Sequence, residues 1–304
     1  MLLISSPRFH EHTTPPGHPE RPERADVFTA VAEAWREKGV RVIEPRPATR
    51  EELIRVHDAG YVDQMAQISG RAVKLDADTF TSPESYEVAL LAAGAAVQAA
   101  EHALATGEAA CALVRPPGHH AERDTAMGFC LFNNVAVAAA AALARGKSRV
   151  AVVDVDVHHG NGTQWMFYPD PRVLYVSTHQ YPFYPGTGAA AETGSAGGRG
   201  FTFNIPLAAG ADDADYAAAY AAVAARLEEY APELLLISAG YDAHQDDPLA
   251  SMRVTTAGYT AIVESLRAAA ARIGCPIALV TEGGYDLDAL RGCLDETIRV
   301  LGRV

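Results

Sequence analysis

Short β-branched runs, several of them apolar at every position, constrain the fold of this chain more than any other feature. They occupy residues 2–4, 40–43, 111–114, 150–155, 173–177, 201–205, 234–238 and 277–281. A strand without a polar face must be covered on both sides, which is the condition of a parallel sheet between helices. Between the runs lie alanine-rich stretches of helical length, at 85–105, 134–144, 213–230, 256–273 and 287–301. The alternation predicts an α/β three-layer sandwich with a mostly parallel eight-stranded sheet. No repeat or Pro/Ser-rich linker breaks the pattern, so a single catalytic domain over residues 1–304 is expected.

Composition narrows the partners. The net charge of −13 repels phosphate backbones, so no direct nucleic-acid partner is expected; it would weakly favour cationic substrates, although solubility alone is the simpler account of it. The longest uninterrupted apolar run, 135–144, falls well short of the roughly 20 residues a membrane span needs. The apolar start, residues 1–4, is too short for a signal peptide. No membrane is expected. Cys111, Cys130, Cys275 and Cys293 form no CxxC pair, which excludes a thiolate zinc site of the usual spacing and a disulfide framework. A reducing cytoplasm is the expected compartment.

In such a sheet, ligands bind beyond the carboxyl ends of the strands. The segments found there are similar in kind: RPPGHH, DVDVHHG, STHQ, AGYDAH and EGGYD. Asp154, Asp156 and His158 recur at every second position, so an extended chain points all three to one side. Aspartates in a buried strand are costly unless paired or bound to metal. A helix N-terminus or an arginine would satisfy them too, but the in-phase histidine favours a metal. Asp242 is the expected third ligand, with Gly240 allowing a sharp turn before it and His244 as a competing donor. Two carboxylates and one imidazole neutralise a divalent ion and leave positions open. The oxygen-rich set suits Zn²⁺ or Fe²⁺ and admits Mn²⁺.

His119 and His120 follow Pro116, Pro117 and Gly118. Adjacent histidines opposite a metal are best explained as proton-transfer groups, each oriented through its other ring nitrogen. Asp154 and Asn161 are the available partners. Tyr285, after two glycines, offers a phenol to a developing oxyanion; by itself it would read as a tyrosine buried at a loop corner.

Taken in order, RPPGHH, GFCLFNN, DVDVHHGNGT, FYPGTG, SAGYDAHQDDPL and EGGYD resemble the histone deacetylase and acetylpolyamine amidohydrolase superfamily, from GHPERPER at residues 17–24 onward. The resemblance implies the arginase–deacetylase fold and a zinc-dependent hydrolysis that releases acetate from an acetyl or acyl amine. It implies one zinc per chain on Asp156, His158 and Asp242, with His119 oriented by Asp154. His120 would act as general base and then acid, and Tyr285 as oxyanion donor. Phe129 and Tyr184 match the aromatic walls of a substrate tunnel, Gly128 lies beside them, and Arg24 matches an arginine beside the acetate exit. A structural K⁺ is implied at Asp154, Asp156, His158, Ser177 and Thr178 through main-chain oxygens.

Two departures refine the expectation. Asn161 stands where class I members have an aspartate, which makes the chain similar to the class II type and His120 less basic. Leu249 stands where class II-type polyamine-selective relatives have a glutamate, which favours acyl-lysine over acetylpolyamine. Other polyamine deacetylases narrow the entrance by dimerising, so a homo-oligomer is compatible with the reading. The competing functions are a small-amide or acetylpolyamine hydrolase, a non-catalytic binder of acylated ligands, and a two-metal ureohydrolase, which would need more carboxylates than DVDVHHG offers.

Overall fold

The computed structural model describes residues 1–303. Eight strands form one sheet: β1 (Leu2–Ile4), β2 (Arg41–Ile43), β3 (Ala110–Ala112), β4 (Val150–Asp154), β5 (Val173–Gln180), β6 (Thr202–Leu207), β7 (Leu234–Ala239) and β8 (Ile277–Thr281). Their order is β2-β1-β3-β8-β7-β4-β5-β6. All seven ladders are parallel, so the expected "mostly parallel" sheet is wholly so.

The two-sided apolar pattern has a direct structural counterpart. Val150 and Val152 of β4, with Leu234 and Leu236 of β7, join one core. Ala151 and Val153, with Leu235 and Ile237, join the other. The first core is completed by α4 (Ser85–Thr106) and α5 (Asn134–Ala144). The second is completed by α1 (Glu23–Glu37), α7 (Asp213–Tyr230), α8 (Thr256–Ile273) and α9 (Leu287–Leu301). Helix α4 is long and apolar enough to span a membrane by composition, yet two-thirds of its apolar window is buried inside the protein. Its alanines let it lie close on the sheet.

Four helices lie outside the expected set: α1, α2 (Arg50–Leu53), α3 (Ala59–Gln67) and α6 (Asn161–Phe167). Strand limits also move. β3 stops at Ala112 and β5 continues to Gln180. Helix ends carry their own stop signals. Asp212 and Asp215 form a capping box on α7, and Gly107 and Gly274 close α4 and α8 in the left-handed conformation. Asp286 accepts from Ala289 N–H at the start of α9, which fixes where the chain leaves Tyr285.

Candidate active site

The loops leaving the C-terminal ends of β3, β4, β7 and β8 meet on one rim. β4 ends at Asp154, so Asp156 and His158 lie in a bend beyond the ladder rather than in the strand. That bend is built by side-chain acceptors. Asp154 Oδ1 accepts from Asp156 N–H at 3.2 Å, and Asp156 Oδ1 accepts from His158 N–H at 2.9 Å.

Asp156, His158 and Asp242 converge, with one ligand atom from each lying within 4.8 Å of the others. Asp156 Oδ2 accepts from Gly283 N–H and Asp242 Oδ1 from Val157 N–H, both at 2.9 Å. Each carboxylate therefore turns its other oxygen to His158 Nδ1, at 3.1 Å in both cases. One ring nitrogen carries one proton at most, so it cannot satisfy both oxygens. A tetrahedral ion with bonds of about 2.0–2.1 Å would hold its ligand atoms about 3.3 Å apart, close to the spacing seen. Burial, and then the neighbouring Asp156, push Asp242 up to about 7. The cluster holds more negative charge than burial tolerates, and a divalent cation would relieve it.

Gly240 is not among the positive-φ glycines, so the chain passes it without a left-handed conformation. Its role is close approach: a Cβ there would lie 2.1 Å from Asp156 Oδ2. His244 turns away from the cluster. Its Nε2 meets Thr256 Oγ1 at 3.2 Å and its Nδ1 accepts from Asp246 N–H.

The paired histidines stack with ring centroids 4.0 Å apart and take different partners. His119 Nδ1 donates to Asp154 Oδ2 at 3.0 Å; His120 Nδ1 donates to Asn161 Oδ1 at 2.8 Å. Burial alone would lower the His119 pKa, but Asp154 and then Asp156 outweigh it and hold it well above the ordinary range. Burial, then the neighbouring His119 and His158, push His120 well below it. The two environments push the imidazoles apart, His119 toward its protonated form and His120 toward its neutral one.

Tyr285 is buried, and burial holds its pKa well above the ordinary value, so its hydroxyl stays a donor. Phe129 stands edge-on to it at 5.9 Å and Tyr184 edge-on to His120 at 5.2 Å. Phe129 holds a left-handed φ of 69° right after Gly128, an uncommon conformation for a bulky side chain. These residues line a pocket of about 180 Å³ with His158, Phe183, Leu249 and Asp78.

Arg24 lies behind Tyr285 rather than on that pocket's wall. Its Nε donates to Gly284 O at 2.7 Å, its Nη2 to Glu282 O and its Nη1 to Glu20 Oε1 at 3.0 Å, with Tyr285's ring 5.0 Å away. Ser177 and Thr178 sit in β5, with Ser177 in register with Asp154.

Several residues of the rim escaped the sequence reading. Glu282 Oε2 accepts from Gly118 and His119 N–H at 2.6 and 3.1 Å, fixing the histidine loop. Asp247 Oδ2 accepts from Tyr285 N–H at 2.6 Å and its Oδ1 from Leu249 N–H at 3.0 Å. Phe183 stacks on His158 at 5.5 Å, and Glu122 reaches Asn161. All four sit within or beside the polar strand-end segments, which was the one available signal.

The histone deacetylase domain matches residues 18–301 of the chain. A probable deacetylase of Archaeoglobus fulgidus is 39% identical over 300 residues, which is 94% of this chain and 82% of that protein. The crystal structure of the HDA15 HD domain superposes with a TM-score of 0.92 at 38% identity, covering 99% of this chain and 88% of that one. An acetylpolyamine aminohydrolase from Burkholderia pseudomallei superposes with a TM-score of 0.90 at 31% identity, covering 99% and 98%. With this sheet, this rim and these relatives, the chain is a hydrolase acting on amides and belongs to the histone deacetylase family.

Proposed function

We propose that the protein is a zinc-dependent deacetylase that hydrolyses the side-chain amide of acetyl- or acyl-lysine. The observation that carries the reading is the pocket of about 180 Å³ in which His120, Tyr285 and His158 meet beside the rings of Phe129, Phe183 and Tyr184. A stem four methylenes long, flanked by aromatic faces, would bring an amide to that floor. Asp156, His158 and Asp242 would hold the zinc, with Fe²⁺ an alternative; when bound, the ion supplies Lewis acidity for the amide carbonyl and the attacking water. K⁺ would sit on main-chain oxygens of Asp154, Asp156, His158, Ser177 and Thr178; the side-by-side run of β4 and β5 at Asp154 and Ser177 supports that placement.

The chain's own groups then divide the work. With Nδ1 engaged by Asn161, His120 uses Nε2 to take a proton from the attacking water. Tyr285 donates its hydroxyl hydrogen to the carbonyl oxygen as charge grows there. His119, held through Nδ1 by Asp154, is fixed beside His120. His120 returns its proton to the leaving amine, and acetate departs. The four buried, unpaired cysteines agree with a reducing cytoplasm.

Asp78 supports a second reading. Asp78 lines the pocket together with Leu249, so an acidic residue stands at the site although Leu249 is apolar. An acetylpolyamine would then enter by the same route. The test is a rate panel on zinc-loaded protein with acyl-lysine peptides, acetylputrescine and small acetamides. Acyl-lysine is expected to be fastest, and Tyr285→Phe should lower kcat by about 10²-fold. Binding without acetate release, or an unchanged Tyr285→Phe, would sink the proposal.

A further inference from the structure

We propose that Glu122 is a positioning residue for proton transfer: it orients the Asn161 amide so that His120 carries its ring hydrogen on Nδ1 and keeps Nε2 free. The inference rests on His120 as the base of the deacetylation proposed above.

The need for such a residue follows from asparagine chemistry. A primary amide has two ends of nearly equal size, one accepting and one donating. If Asn161 turns Oδ1 to His120, the imidazole must donate from Nδ1, and Nε2 is a lone pair facing the pocket. If it turns Nδ2 instead, Nδ1 must accept, Nε2 carries the hydrogen, and a neutral His120 cannot take a proton there. His119 faces no such ambiguity, because Asp154 accepts from either oxygen.

Glu122 settles the choice. Asn161 Oδ1 lies 2.8 Å from His120 Nδ1, and Asn161 Nδ2 donates to Glu122 Oε1 at 2.6 Å. A carboxylate only accepts, so the amide end beside it must be the donating one. A flipped amide would set two acceptor oxygens against each other with no hydrogen between them. Glu122 is itself held in place. Its N–H donates to Thr125 O at 2.9 Å, and its carbonyl accepts from His57 Nδ1 at 2.8 Å. Asn161 is anchored at the start of α6, where its N–H donates to His159 O at 2.8 Å. The relay His120–Asn161–Glu122 thus gives the base a carboxylate at one remove, with the amide deciding which nitrogen is protonated.

The test pairs histidine nitrogen-15 spectra with steady-state kinetics. In wild-type protein the His120 signal, assigned with His120→Ala, should show hydrogen on Nδ1, and Glu122→Ala should shift it toward the Nε2-protonated form. Glu122→Ala should lower kcat by about 10²-fold with KM little changed, while Glu122→Gln, whose amide oxygen still accepts from Asn161, should stay within about threefold. Asn161→Asp supplies a partner that accepts from either end, so the sign should reverse. In that background Glu122→Ala removes a like charge and should raise kcat by about tenfold. Should Glu122→Ala fail to fold, Glu122→Gln takes its place: nearly neutral beside Asn161, it also removes the like charge in the Asn161→Asp background and should raise kcat there by about tenfold. A wild-type tautomer in Glu122→Ala, or equal losses in both backgrounds, would overturn the inference. If wild-type protein releases no acetate, the proposed function fails, and the spectra alone still decide the role of Glu122.

Discussion

Gly283→Ala places a single methyl group against the Asp156–His158–Asp242 cluster, and its effect follows from geometry. A Cβ on Gly283 would lie 2.3 Å from Asp242 Oδ2 and 2.6 Å from Asp156 Oδ2. Asp242 Oδ2 is the oxygen that faces His158 Nδ1. Reaching even 3.0 Å, below which Cβ atoms are essentially never found, requires about 0.7 Å of movement. The backbone is poorly placed to retreat, because Gly283 N–H is bonded to Asp156 Oδ2 and its carbonyl accepts from Tyr241 N–H at 3.0 Å. The carboxylates must yield, whereas metal–ligand distances tolerate only about 0.2 Å. Altering a partner of a ligand typically costs 10–100-fold in affinity, so displacing the ligand itself should cost at least about 10²-fold, near 2.7 kcal/mol. The conformation at Gly283 lies outside the left-handed region, so alanine introduces no backbone strain to confuse the result. Competition against a fluorescent chelator measures the zinc affinity, and thermal unfolding in chelator shows whether the apoprotein remains folded. A folded Gly283→Ala protein with wild-type zinc affinity would refute the reasoning and the ligand assignment together.

Gly60, in α3, has no atom within 4 Å of an added Cβ. Gly60→Ala should therefore stabilise the fold by roughly 0.5–1 kcal/mol in thermal unfolding and leave zinc affinity unchanged. His57 is buried as a neutral ring, with Nδ1 donating to Glu122 O and Nε2 accepting from Asn133 N–H at 2.9 Å, and burial lowers its pKa to about 4. Above pH 6.5 neither state binds the proton; between about pH 6.5 and 4 the unfolded chain takes it first, so stability falls with pH, by about 3 kcal/mol in all. The acid-induced drop in the unfolding midpoint should be smaller in His57→Gln, and parallel drops would exclude His57 as its source. Asp78→Asn should lower kcat/KM for acetylputrescine by about tenfold while sparing neutral acetamides if the carboxylate holds an ammonium; equal effects on both would remove Asp78 from substrate selection.

The sheet was legible because both faces of its strands are buried. Val150 to Val153 alternate between two cores, and only a chain apolar at every position can do that. Helix α1 was missed although Ala25, Phe28, Val31 and Ala32 give it an apolar stripe at helical spacing. The charged residues between them obscured it, and fully buried Arg24 has no place in such a stripe. Period-two spacing found Asp154, Asp156 and His158, but for a partly mistaken reason. The strand ends at Asp154, and the backbone N–H groups of Asp156 and His158, donating to the Asp154 and Asp156 carboxylates, rather than the pleat, set Asp156 and His158 in their cluster with Asp242.

The supporting carboxylates were illegible for a different reason. A ligand or a base is recognisable by residue type at a strand end, and its spacing from a neighbour can be checked along the chain. Glu282 acts on the N–H groups of Gly118 and His119, more than 160 positions away, and nothing in EGGYD points to RPPGHH. They meet because β8 lies beside β3 in the sheet. Eight apolar runs imply eight strands without fixing their order, so the rim could be populated but not arranged. Asp247 reaches Tyr285 and Glu122 reaches Asn161 under the same condition: each contact joins loops that follow different strands. Strand order is therefore the missing quantity. Given β3-β8-β7-β4-β5, the five strand-end loops that build the site become neighbours, and acids beside the expected catalytic residues become candidates for holding them in place.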